Sequence, residues 1–183
     1  MSDLTKRALL RAFGILLDKK PFNKITVTDI TKECGVNRMT FYYHFQDIYE
    51  LMMWGFESQV LEASGDFVTY DSWKTGYLRL FNFALDRKKS ITKIFLTLEE
   101  QHLEQSLNKV AQGLVLSVID DKCEGRKIKQ EDRLFAAQVC VHVLIGVLMN
   151  WIKCGMVEQP ECVVKKVGIL LDGMIEKAIN GFE

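Results

Sequence analysis

The chain has no net charge. Its 24 Lys and Arg balance 24 Asp and Glu over 183 residues, which excludes a binder that holds nucleic acid by bulk charge alone. Proline occurs twice, at Pro21 and Pro160, and no Gly/Ser-rich linker, low-complexity tract or fixed-period repeat interrupts the chain. There is no Gly-rich phosphate loop, no nucleophile elbow, and no spacing of acids or of Cys and His that would assemble a catalytic centre, so the residues support no enzyme. The five cysteines, at 34, 123, 140, 154 and 162, are odd in number and include no CxxC pair. They read as free thiols, three of them in apolar helical patterns, in a reducing cytosol. The opening MSDLTKRALL lacks a signal-peptide core. The longest apolar run, Val139 to Met149, is broken by His142 and is shorter than a bilayer span. A cytoplasmic protein with no membrane partner is expected.

What is present is helical periodicity almost from end to end. Leu9, Phe13, Leu16 and Leu17 form the stripe of an amphipathic first helix that stops near Pro21. Thr26 with Asp29 reads as a capping box for a second helix, Gly35 as its left-handed stop, and Asn37 as the N-cap of a third. Asp47 with Glu50 opens a fourth, running to about residue 64. Asp71 or Ser72 opens a fifth, with Trp73, Tyr77, Leu80, Phe81 and Ala84 on one side. A short sixth follows near 90–95 and a seventh over 98–119. After a charged loop, an eighth helix over 131–154 is apolar on most of its circumference. A turn at 155–160 leads to a ninth, with Val163, Val167, Leu170, Leu171, Met174 and Ala178 at core spacing. The expected fold is therefore all-α with about nine helices: a three-helix head over 1–50 and a helical bundle over 51–183. A helix that is apolar all round needs burial on all sides. The last two helices are accordingly expected to pair with their two-fold mates in a homodimer, the alternative being a central helix wrapped within one subunit.

The segment Thr26 to Ile48, TVTDITKECGVNRMTFYYHFQDI, has the layout of a DNA-binding helix-turn-helix. On a helical wheel Phe41, Phe45 and Ile48 fall together, placed to pack on Ile30, Cys34, Val36, Leu9 and Phe13. Met39, Tyr43 and Gln46 point away, with Thr40 and Tyr42 beside them. Those side chains suit duplex DNA. Arg38 can donate two hydrogen bonds to guanine, and Met39 and Thr40 can touch a thymine methyl. The Tyr42 and Tyr43 hydroxyls can reach phosphates. Asn37 caps this surface, and the start of the second helix, near Thr26 and Thr28, suits a phosphate. Lys6, Arg7, Arg11 and Lys24 could add charge along the backbone, and His44 reads equally as a packed histidine or a phosphate donor. The bland alternative is a helical hairpin with exposed tyrosines, but such a surface is costly without a partner. Residues 1–50 carry eight Lys/Arg against six Asp/Glu, and the remainder 16 against 18, an asymmetry in the same direction.

This segment resembles the tetracycline-repressor (TetR) family of bacterial regulators. The matching residues are Ile25-Thr26-Val27, Asp29-Ile30, Gly35-Val36, Thr40-Phe41-Tyr42-Tyr43-His44-Phe45, Asp47 and Leu51. The resemblance is specific over about Leu9 to Leu51 and extends beyond only as architecture. It implies a homodimer on a palindromic double-stranded operator, commonly a repressor released by a small ligand held in the second domain. One departure is Ile48, where the family commonly has a phosphate-contacting Lys. The run NRMTFYYHFQDIYEL also looks like a subgroup that includes regulators of dihydroxyacetone-kinase operons. Members of that subgroup can be activators switched by a protein partner.

Candidate effector-pocket residues are Trp54, Phe67, Trp73, Tyr77, Phe81, Phe95, His102 and Met149; the competing reading is that they are ordinary core. Glu99, Glu100, His102 and Glu104 could suggest a metal but do not share one helix face well, so a solvated polar face is expected rather than a metal site, and no cofactor. A filled core between the fourth and seventh helices would favour a protein co-regulator, and an enclosed cavity of pocket size a small-molecule effector.

Overall fold

The computed structural model describes residues 2–64, 69–97 and 100–182, without the side chains of 2, 63–64, 96–97 and 100–102. Within them the chain is all-α. The helices are α1 (Ser2–Lys19), α2 (Val27–Cys34), α3 (Arg38–His44), α4 (Ile48–Ser64), α5 (Trp73–Asp86), α6 (Lys88–Thr97), α7 (Glu100–Lys122), α8 (Gln130–Lys153) and α9 (Pro160–Phe182), with a 3-10 turn at Phe22–Lys24. Two compact units result, 1–59 and 60–183. The division falls inside α4, nine residues beyond the 50/51 boundary expected from the sequence.

The first unit is built on the apolar stripe of α1, whose Leu9, Phe13, Leu16 and Leu17 are all buried. They pack with Ile25, Ile30, Phe41, Phe45 and Leu51 to form a small core. One expectation needs correcting. Phe45 has already left the helix (φ −144°, ψ 137°), and Ile48 opens α4 rather than continuing α3. The cap signal of Asp47 outweighs the apolar spacing. Its Oδ1 accepts from the Glu50 N–H at 2.8 Å, while the Glu50 carboxylate accepts from the Gln46 N–H at 2.5 Å. Cys34, expected in the core, is half-buried.

In the second unit, α7 packs along α8, α5 along α9, and α8 against α9. Between the last two helices the chain turns through Gly155 (φ 79°) and Met156 (φ 54°), both left-handed. The Trp151 Nε1–H donates to the Glu158 carbonyl at 2.8 Å and ties this turn down. α8 is two-faced. Cys140, Leu144, Leu148 and Trp151 are buried, whereas Phe135, Gln138, His142, Gly146 and Asn150 are exposed. One subunit therefore does not wrap it on all sides. By length and composition α8 is long and apolar enough to cross a membrane, which the run Val139 to Met149 is not. All five cysteines are free; Cys123 and Cys140 are buried, and Cys154 and Cys162 exposed.

Candidate nucleic-acid interface

Each end of the helix-turn-helix is set by a side chain acting on nearby backbone. Thr26 adopts an extended backbone, and its hydroxyl accepts from the Asp29 N–H at 3.2 Å. The Asp29 carboxylate accepts in return from the Thr26 N–H at 2.8 Å and the Thr26 hydroxyl at 2.6 Å. Lys20 closes the arrangement with an ion pair to Asp29 at 2.7 Å. Lys20 first, then the Thr26 hydrogen bonds, holds the Asp29 carboxyl well below the usual carboxylate range. The ion pair also offsets a negative charge that would otherwise oppose a phosphate at the start of α2, where the first N–H groups lack intrahelical partners.

Gly35 ends α2 at φ 74°, ψ 27°, a left-handed conformation that glycine adopts without a Cβ penalty. Its neighbour's N–H, at Val36, bonds back to the Thr31 carbonyl at 3.0 Å. Two residues later Asn37 starts α3. Its Oδ1 accepts from the Thr40 N–H at 2.8 Å and from the Thr40 hydroxyl at 3.0 Å. A helix of seven residues is too short to stand on propensity, so this cap and the burial of Phe41 hold it.

The outward face of α3 carries Arg38, Met39, Tyr42 and Tyr43, all exposed, Met39 at 76% and Tyr43 at 82%. Arg38 sits at the first helical position and donates from Nη2 to the Tyr42 hydroxyl at 3.3 Å. Thr28 and Thr40 are half-buried, and the Thr40 hydroxyl is engaged in the cap. His44 is half-buried, its ring edge-on to Tyr43 at 4.9 Å. Of the basic residues nominated from sequence, Arg11 and Lys24 are exposed. Arg7 pairs with Asp3 at 3.0 Å, and Lys6 lies 5.5 Å from the ring centres of both Phe45 and Trp54. The parts of Lys6 and Lys20 were missed because their partners are far away in sequence or on another helix.

A family model described as bacterial regulatory proteins, tetR family, matches residues 15–52. A second, described as transcriptional regulator C-terminal region, matches 71–173, more than half of the chain. The chain belongs to the TetR family of transcription regulators. It is 30% identical over 95 residues to the HTH-type dhaKLM operon transcriptional activator DhaS of Lactococcus lactis subsp. lactis (strain IL1403). That match takes in 52% of this chain and 51% of the relative, so the chain spans about half the length of the curated relative it matches. A solved structure titled dihydroxyacetone kinase operon activator DhaS superposes with a TM-score of 0.70 at 23% identity, over 94% of this chain and 96% of that one. A TetR transcriptional regulator from Rhodococcus sp. RHA1 does so at 0.64 and 18%, over 92% and 96%. At these identities the two structures speak for the fold.

Three of the nominated effector residues form a chain of rings, with centres 6.3 Å apart from Trp73 to Tyr77 and 4.9 Å from Tyr77 to Phe81. Trp54 lies in the first unit, its ring 5.7 Å from Phe45. Trp73, Phe81 and Met149 are buried and Phe95 is half-buried. Phe67 and the His102 side chain lie outside the described residues. Among the described nominees, Trp73 lines a space of about 10 Å³, and Tyr77 one of about 40 Å³ between α4, α5, α7 and α8. Leu80, Leu107, Ala111, Val115, Leu144 and Leu148 share the lining. The Tyr77 hydroxyl donates to the Leu144 carbonyl at 2.7 Å, and burial pushes its phenol pKa up. Among the described residues no three His, Cys, Asp or Glu side chains cluster to hold a metal ion.

Proposed function

We propose that the chain is a cytoplasmic, homodimeric regulator that binds a palindromic operator through α3 and is switched by a protein partner at its surface. The observation that carries the DNA part is the face of α3. Arg38, Met39 and Tyr43 stand in solvent on a seven-residue helix capped by Asn37 and anchored by buried Phe41, an arrangement costly without a partner and suited to a major groove. The dimer reading draws on the last two helices. Ile169 and Leu170 on α9 are 67% and 71% exposed, Met174 lies beside them, and Phe135 is exposed on α8. A monomer at micromolar concentration would contradict it.

The core of the second unit favours a protein switch over a small ligand. Among the described residues the space beside Tyr77 is about 40 Å³, far below the roughly 300–1,000 Å³ of ordinary ligand pockets, and the Tyr77 hydroxyl on its wall is already bonded. We infer activation as the direction of regulation, by analogy with DhaS, which is named as an operon activator.

The deciding experiment is selection of bound sequences from random duplex DNA, with the full chain alone and with host-cell extract, followed by a salt titration. A palindromic consensus with steep salt dependence supports the operator reading. Enrichment only with extract, traced to a protein fraction, supports the partner switch. A small apolar molecule that raises the melting temperature and releases DNA would restore the ligand-released repressor expected from the family resemblance.

A further inference from the structure

We infer that Tyr42 is a positioning residue for Arg38, so that base preference at one operator position depends on the pair. This deepens the operator-binding reading above and rests on it. The two adjacent tyrosines of α3 are interchangeable in sequence and differ in the structure. Tyr43 is 82% exposed and Tyr42 47%. The Tyr42 ring stands edge-on to Phe41, with centres 5.6 Å apart and planes at 85°, and Phe41 is fully buried. Tyr42 is thus anchored from beneath. On its outer side it accepts from Arg38 Nη2 at 3.3 Å, and the guanidinium carbon lies 5.8 Å from its ring centre.

The geometry gives Tyr42 something to do for recognition. A free arginine on a first helical turn samples many rotamers, and each contact it makes with a base must offset the loss of that freedom. A guanidinium already steered by a hydroxyl and a ring face loses less on binding. Arg38 has five N–H donors in a planar fork. One on Tyr42 leaves enough for a bidentate pair with guanine O6 and N7. Position also favours this use. Arg38 directly follows the Asn37 cap, and base contacts come mainly from the N-terminal residues of a recognition helix. Tyr43, whose hydroxyl has no such neighbour on α3, serves as the sequence-independent contact.

The test is the same random-duplex selection, run on the full chain and on Arg38→Ala, Tyr42→Phe, Tyr43→Phe and the Arg38→Ala/Tyr42→Phe double variant. Each is checked for helicity first; Tyr42→Phe keeps the ring on Phe41. Arg38→Ala should flatten preference for guanine at one half-site position, by about 5- to 150-fold. Tyr42→Phe removes the hydroxyl that accepts from Arg38 and should reduce discrimination at that same position by about two- to fivefold, the scale of one exposed hydrogen bond, and change nothing elsewhere. In the Arg38→Ala background it should have no further effect. Tyr43→Phe should weaken all sequences alike. Equal loss on all sequences with Tyr42→Phe, or full additivity in the double variant, overturns the inference while leaving operator binding intact. So does a consensus in which no position responds to Arg38→Ala. Failure of the wild-type chain to enrich any sequence, with or without extract, overturns the operator reading and this inference together.

Discussion

In the first unit a seven-residue helix stands because polar side chains fix its entry, whereas in the second a 24-residue helix begins at Lys129 with no side-chain cap at all. α3 has too few turns to repay its own nucleation, so Asn37, Gly35 and the Thr26–Asp29 box supply order from outside it. α8 has length and a buried face, and packing against α7 and α9 suffices. A short helix that must present side chains at fixed angles is held by directional bonds. A long one whose task is to fill space is held by area.

The sharpest way to break that contrast is to remove one fully buried ring from each unit. Phe41 and Phe81 are both inaccessible to solvent, and truncation to alanine should cost about 3–5 kcal/mol in either place. The loss should stay local. Peptide-resolved hydrogen exchange should rise over 1–59 for Phe41→Ala, with operator binding abolished, and over 60–183 for Phe81→Ala. An equal rise in both units for either variant would mean that the two are not separately built.

Glycines test the same point with opposite signs. An added Cβ meets nothing within 4 Å at Gly35 or at Gly113, so sterics with neighbours do not decide. Backbone conformation does. At Gly35 the left-handed φ should make alanine cost about 1–2 kcal/mol. At Gly113, inside α7, alanine should add about 0.5–1 kcal/mol of stability. Denaturant midpoints measure both, and a gain at Gly35 would remove the left-handed stop from the account.

These caps were legible in the sequence for the reason that makes them effective: each acts within three residues. Thr26 with Asp29, Gly35, and Asn37 with Thr40 could all be read because a side chain that satisfies nearby backbone leaves its mark beside the helix it starts or stops. The core stripe of α1 was legible through its period. Less was visible wherever partners are distant or where shape decides. The wheel carried α3 on to Ile48 because apolar spacing continues past the point where Phe45 turns extended. Lys6 against Phe45 and Trp54 joins side chains almost forty residues apart or more. Neither the size of the cavity beside Tyr77 nor the difference between Tyr42 and Tyr43 is a matter of composition.

Caps themselves give the next effect in size. Asn37→Ala removes the Oδ1 that accepts from Thr40 and should cost the first unit about 1 kcal/mol. Lys129→Ala, at the corresponding place on α8, should stay within about 0.5 kcal/mol because no cap bond is lost there. Urea midpoints of the two variants decide it, and equal losses would show that α8 also depends on its first residue.

The smallest effect separates the units by pH. The folded-state pKa of Asp29 is depressed below its ordinary 3.8 by Lys20 and Thr26. Its contribution is therefore complete above the unfolded value and drains away as pH falls through and below about 4. In the second unit the resolved shifts point the other way. Burial pushes the Cys140 thiol from 9.0 up to about 11, and Tyr70 rises from 10.0 to about 12 by burial and the nearby Asp172. Acids kept neutral in the fold ionise first in the unfolded chain, so this stability is present below pH 9 and lost as pH climbs past it. Cys34 in the first unit is also raised by burial, which leaves the acid limb as the one that discriminates. Melting followed from pH 7 to 3 should show hydrogen-exchange protection falling in 1–59 before 60–183. Asp29→Asn should weaken the first unit at pH 7, by a margin that begins to narrow below about pH 4 without closing by pH 3, because the folded-state carboxyl stays ionised there. If the variant and wild type stay separated by the same margin down to pH 3, the carboxylate's charge is not what holds the start of α2.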